Sequence, residues 1–146
     1  RSNEELAEQW TKDCGFKLIT FETKSHFAEP IYHTDIIMYI GTDIVVICSD
    51  SIQSQYQSQV IERLNKHHQV LEISEDQVLD FCGNSLEVRD TNDNLKIVMS
   101  TAAFNSFTAS QKKTLLKYYT KIIHSNLETI EKYGGGSARC MMAELF

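Results

Sequence analysis

Cys140 closes the stretch Gly134-Gly135-Gly136-Ser137-Ala138-Arg139-Cys140, where half of the chain's 6 glycines are concentrated. Glycine reaches backbone conformations closed to other residues and lets a ligand approach the main chain. A thiol just beyond such a loop can have backbone N–H groups aimed near it and form the attacking thiolate. Arg139 adds positive potential beside it. The structural alternative is an inert cysteine next to a hinge.

A second stretch, Pro30-Ile31-Tyr32-His33-Thr34-Asp35, holds a histidine and a carboxylate two residues apart. In an extended segment both would project from one side. The carboxylate of such a pair binds a cation while the imidazole moves a proton. The alternative is a surface loop with chance spacing. His26, His67, His68 and His124 show no comparable setting. The third stretch runs from Phe81 to Arg89, where Gly83-Asn84 reads as a turn entering a strand. Asn84 would either line a site or shape that turn. Cys14, Cys48, Cys82 and Cys140 are spaced widely and form no C-x-x-C pair, so no structural zinc site is expected. No metal or other cofactor is expected.

The elements that must position these residues are legible from caps and periodicity. Ser2, Ser54, Ser74 and Thr108 each precede Glu or Gln by three residues, the capping-box pattern of a helix start. Ser100 reads as the cap of another helix. Tyr56, Val60, Ile61 and Leu64 form an apolar helical stripe. Leu115, Leu116 and Tyr119 form a second, and Leu6, Ala7 and Trp10 a third, the last ending near Gly15. Residues 16–21, 36–40, 44–48, 70–73, 86–89, 95–99 and 121–123 read as strands, with 141–146 as a last short one. Gly41-Thr42-Asp43 and the Asp90–Asn94 cluster read as turns. The order strand, strand, helix, strand therefore occurs twice, with a period of about 50 residues. The first helix and residues 16–21 read as the tail of a third such unit.

The chain has 146 residues, 42% hydrophobic and 23% charged, which suits one globular domain with a real core. Its net charge of −6 and the lack of a long basic run argue against a nucleic-acid partner. No apolar run approaches the about 20 residues of a membrane span, and no signal peptide is read at the start. Reduced cysteines in a cytoplasmic protein are the expectation. The chain begins with Arg1, and the repeat begins mid-unit, so an absent N-terminal part is also expected.

His33-Thr34-Asp35, the run Cys82-Gly83-Asn84-Ser85-Leu86-Glu87-Val88, and Gly134-Gly135-Gly136-Ser137-Ala138-Arg139-Cys140 with Met141-Met142-Ala143-Glu144 after it together resemble the amidinotransferase-like family of the pentein superfamily. More narrowly they resemble its citrulline-utilisation hydrolase-type branch. The likeness spans residues 4–146. It implies an α+β fold of ββαβ repeats in a partial propeller, about two and a half of five units, with residues 1–146 as one domain. It implies an enzyme of arginine or citrulline metabolism acting on a guanidino or ureido carbon, as hydrolase or amidinotransferase. Cys140 would be the nucleophile and His33 the acid/base. Asp35 would bind the guanidinium, with Asn84 and Arg139 as further substrate-binding residues, and Gly134, Gly135, Gly136 and Ser137 would shape the loop. The family also uses acidic residues from its N-terminal half, which this chain does not match. The missing half, or another copy, would complete the ring; otherwise the chain would only bind or assemble.

Overall fold

The computed structural model describes residues 3–24 and 30–143. Two helix starts are capping boxes as the sequence indicates. Ser74 opens α4 (Glu75–Leu79) and Thr108 opens α6 (Ala109–Leu115), each hydroxyl accepting from the backbone N–H of a glutamine whose side chain reaches back. Ser100 caps α5 (Thr101–Ser106) through the Ala103 N–H. Of the other two, the box at Ser54 is not formed. Asn3 caps α1 (Glu4–Asp13), and Ser2 lies outside the described residues. Ser54 is the first residue of α3 (Ser54–Asn65), which starts after Gln53 without a side-chain cap.

Each of two three-stranded sheets follows the repeated order. In the first, β1 (Met38–Ile40) pairs antiparallel with β2 (Ile44–Ile47), and β2 pairs parallel with β3 (Gln69–Glu72) after the α3 crossover. In the second, β4 (Leu86–Arg89) pairs antiparallel with β5 (Leu95–Ser100), and β5 pairs parallel with β6 (Lys121–Ser125) after α5 and α6. Antiparallel neighbours need only a short turn, whereas the parallel pair needs a long crossover. Gly41 N–H donates to Ile44 O in the first turn. In the second, one carboxylate oxygen of Asp90 accepts from the backbone N–H groups of Asn92 and Asn94.

One core serves both units. The central strand β2 is buried along its whole length, so Ile44, Val45, Val46 and Ile47 form a continuous apolar run. They pack in one cluster with Ile97, Met99, Phe107, Leu115 and Tyr119 of the second unit. Glu87 on β4 ties the units at one end, accepting from Thr42 N–H, Thr42 hydroxyl and Tyr119 hydroxyl.

The structure departs from the sequence reading in several places. Residues 16–21 form no strand; only Thr23 makes an isolated bridge, to Ile52. Their strand-like composition has no partner ladder among the described residues. Residues 34–37 form a short helical turn, α2 (Thr34–Ile37), and the strand begins at Met38. Residues 139–141 form a 3-10 turn rather than a strand, and 144–146 lie outside the described residues. The stripe of α1 is not covered: Leu6 is 70% and Trp10 60% exposed. Leu116 is also exposed, because α6 ends one residue before it. A helix the periodicity did not reveal, α7 (Glu128–Gly134), buries no residue, so it has no apolar stripe to betray it.

Candidate active site

Three segments converge on Cys140. The first is α2, which follows His33 directly and carries Asp35 in its first turn. The second is the turn after α4. There Phe81 adopts a left-handed conformation at φ 61°, Cys82 N–H donates to Gln77 O, and Phe81 N–H donates to Val78 O. This is the Schellman helix end, normally built on glycine. Asn84 N–H then donates to Phe81 O at 2.9 Å, which brings its side chain inward. A side chain at Gly83 would run into the backbone of Ile36 and Ile37, so glycine there lets the turn lie on α2.

The third segment is the loop after α7. Gly135 ends the helix in the left-handed region at φ 71°. A Cβ on Gly136 would stand 2.9 Å from both Cβ and Sγ of Cys140. Gly134 has neither constraint; its nearest contact would be Ile130 at 3.7 Å. Two of the three glycines are therefore required by geometry.

Asn84 joins the segments. It is fully buried. Its Nδ2 donates to Asp35 O at 2.9 Å, to Asp35 Oδ2 at 3.2 Å and to Cys140 Sγ at 3.2 Å. Its Oδ1 accepts from Ser137 N–H at 3.1 Å, which fixes the amide orientation. Arg139 N–H reaches Asn84 O at 3.4 Å. The Cys140 thiol in turn donates to Asp35 Oδ2 at 3.5 Å, and Cys140 is exposed. A solvent-accessible thiol thus lies beside a carboxylate, with one buried amide holding both.

Asp35 faces two ways. Besides this cluster it lines a cavity of about 320 Å³, with Arg63, Arg139 and the apolar side chains of Ile19, Met38, Val60 and Leu64. His33 stands at the N-cap of α2, exposed, its ring 4.8 Å from that of Tyr32. Among the described residues its ring forms no hydrogen bond with Cys140, Asp35 or Asn84. Because Thr34 and Asp35 are helical, His33 and Asp35 do not share one face of an extended strand as the sequence reading supposed.

The whole chain, residues 1–146, matches the family of eukaryotic N,N dimethylarginine dimethylhydrolases. The chain belongs to that family. As a member of the dimethylarginine dimethylhydrolase family it falls in the pentein superfamily that the resemblance named, while the match does not name the narrower citrulline-utilisation branch. A comparison with curated proteins returned no match. Among solved structures it is similar to the N-terminal domain of ArgZ, a cyanobacterial arginine dihydrolase, bound to product, with 19% identity and a TM-score of 0.70 over 96% of this chain. A variant of that domain bound to substrate matches at 18% identity and a TM-score of 0.72 over 95% of this chain. Another variant, covalently bound to a reaction intermediate, matches at 19% identity and a TM-score of 0.70 over 96% of this chain. At such identities the likeness is one of fold. The chain spans 46% of each of those three domain chains.

The other thiols of this dimethylarginine dimethylhydrolase-family chain have different surroundings. Cys48 and Cys82 are fully buried, and burial pushes both thiols up, that of Cys82 to about 12. Cys14 is exposed at the end of α1. Among the described residues no group of three or more His, Cys, Asp or Glu could hold a metal ion, and no helix is long and apolar enough to cross a membrane.

The residues singled out from sequence do not all play the expected part. Cys140, Asp35, Asn84 and the 134–139 loop come together. Asn84 is wholly buried and bonds to Asp35, Ser137 and Cys140, so it ties the site residues together. Sequence reading missed Gly83 as the residue that seats the turn on α2. It also missed Glu131, whose Oε1 accepts from the Ser137 hydroxyl at 2.6 Å. The available signal was the helix punctuation around Glu131: acidic residues in the first turn, Lys132 in the last and Gly135 at the cap.

Proposed function

We propose that this chain carries the nucleophile of a cysteine-dependent hydrolase acting on the guanidino carbon of an arginine-class substrate. The observation that carries the reading is the exposed Cys140 thiol within 3.5 Å of the Asp35 carboxylate, in a chain of the dimethylarginine dimethylhydrolase family. Asp35 receives the cationic guanidinium. That cation offsets the repulsion a Cys140 thiolate would otherwise meet from the carboxylate, and the Asn84 N–H supports the sulfur from the buried side.

The thiolate forms a C–S bond to the guanidino carbon, and the bond to the leaving amine breaks as His33 supplies its proton. Water then adds to the covalent adduct, giving a proton back to His33. The C–S bond breaks, releasing a ureido product and regenerating the thiolate. Splitting attack on a resonance-stabilised carbon in two makes each step easier. His33 takes this role from the family resemblance, standing at the N-cap of the helical turn that carries Asp35. The family match favours water over an amine as acceptor. The remaining pentein units, which supply the other acidic residues implied by the resemblance, complete the site.

The test is turnover of dimethylarginine and arginine by the full-length protein, with covalent adduct trapping by mass spectrometry. Cys140→Ser is expected to abolish both turnover and adduct. His33→Ala is expected to lower kcat by about 10²- to 10⁴-fold. Full activity in Cys140→Ser would sink the proposal, and a complete protein with no turnover would favour an assembly role.

A further inference from the structure

We propose that Glu131 is a positioning residue for Cys140, acting through Ser137. The inference rests on the reading of Cys140 as nucleophile, but Glu131 itself touches neither the thiol nor Asp35. Helix α7 buries no residue, so core packing does not set its place. Glu131 joins it to the site through the loop. Glu131 O accepts from Gly135 N–H at 3.3 Å, and Glu131 Oε1 accepts from the Ser137 hydroxyl at 2.6 Å. The second contact is short, as charge-assisted hydrogen bonds to a carboxylate are.

Ser137 is fully buried and holds the other end. Its N–H donates to Asn84 Oδ1, and the Nδ2 of the same amide donates to Cys140 Sγ. A continuous path therefore runs from the Glu131 carboxylate through Ser137 and Asn84 to the sulfur. The loop between Glu131 and Cys140 contains two glycines that need their conformational freedom or their lack of a side chain, Gly135 and Gly136. A loop so permissive needs fixed points. Asn84 supplies one from the core and Glu131 the other from the helix. Without Glu131, the buried Ser137 hydroxyl loses its acceptor and the loop loses its outer anchor.

The experiment uses the full-length protein with Glu131→Ala, Glu131→Gln, Ser137→Ala and the Glu131→Ala/Ser137→Ala double variant. The readouts are kcat, KM and the rate at which a chloroacetamidine probe alkylates Cys140, with Cys14 on the same chain as internal control. A misplacement of about 1 Å costs on the order of 10²-fold in rate. Glu131→Ala and Ser137→Ala are expected to slow Cys140 alkylation and kcat by about ten- to a hundredfold, with KM and Cys14 labelling little changed. Glu131→Gln still offers an acceptor oxygen and should restore most of the rate. The double variant should be no worse than either single one, because both break the same link. Wild-type alkylation of Cys140 in Glu131→Gln and in both alanine variants, or losses that add in the double variant, would overturn the proposal. Wild-type turnover in Cys140→Ser would overturn the nucleophile reading instead, and the alkylation rates would still decide the role of Glu131.

Discussion

The side-chain amide of Asn84 lies 3.2 Å from the sulfur of Cys140, across 56 positions of sequence. The same amide nitrogen holds both the backbone oxygen and the carboxylate of Asp35. One buried residue thus sets the separation of thiol and carboxylate.

Replacing Asn84 should therefore damage stability and site together. Asn84→Ala leaves the buried Ser137 N–H without its acceptor, at a cost of about 1–3 kcal/mol. Asn84→Asp should be worse, since it sets a second carboxylate against Asp35. Urea unfolding measures the first effect, and the alkylation rate of Cys140 the second. An Asn84→Ala protein as stable and as reactive as the parent would contradict the arrangement.

The glycine run should split by position. A Cβ at Gly136 would meet Cys140 Cβ and Sγ at 2.9 Å, so Gly136→Ala should displace the thiol and abolish its labelling by an amidine probe. Gly134 ends a helix with ordinary space around it, so Gly134→Ala should hold or gain stability, by up to about 1 kcal/mol. Thermal melts and labelling of both variants check the contrast. Equal sensitivity at the two positions would refute it.

Thiol reactivity should divide the four cysteines in pairs. Cys14 and Cys140 are exposed, and Cys48 and Cys82 are buried with raised pKa. Iodoacetamide on the native chain near neutral pH should modify the exposed pair, and all four only after denaturation. Peptide mass spectrometry reads the result directly, and native labelling of Cys82 would show that the core around Ala103 is open.

Alkaline pH should weaken the fold. Burial raises the Cys82 thiol to about 12 and pushes the Tyr39 and Tyr119 hydroxyls up as well. In the unfolded chain these groups ionise earlier, near about 8.5 for cysteine and about 10 for tyrosine. The unfolded state then binds fewer protons, so stability falls as pH rises. Their contribution is complete below about pH 8.5 and is lost progressively toward the raised folded values. The urea midpoint should drop between pH 8 and pH 11. A midpoint that stayed level would mean that these groups are not buried as described.

Much of the fold was legible because it is written in local chemistry. The boxes at Ser74 and Thr108, the cap at Ser100 and the turns at Gly41 and Asp90 each depend on neighbours within a few residues. Among the local motifs the box at Ser54 did not form, and the other failures were read from composition. Residues 16–21 have strand-forming side chains but no partner ladder, and α7 has no buried face from which a period could be read. The reading of His33 and Asp35 as sharing one face of an extended segment failed because Thr34 begins a helical turn.

The sequence by itself determined the repeated order of elements and marked the Gly134–Cys140 loop, Asp35 and Asn84, which the fold brings together. Local propensity and motif carry that information along the chain. Tertiary structure alone decided that Asn84 ties Asp35 to Cys140, that Gly83 and Gly136 are needed as bare backbone, and that Glu131 meets Ser137. Those roles depend on which segments pack together and on what each buried polar atom finds there, and spacing along the chain encodes neither.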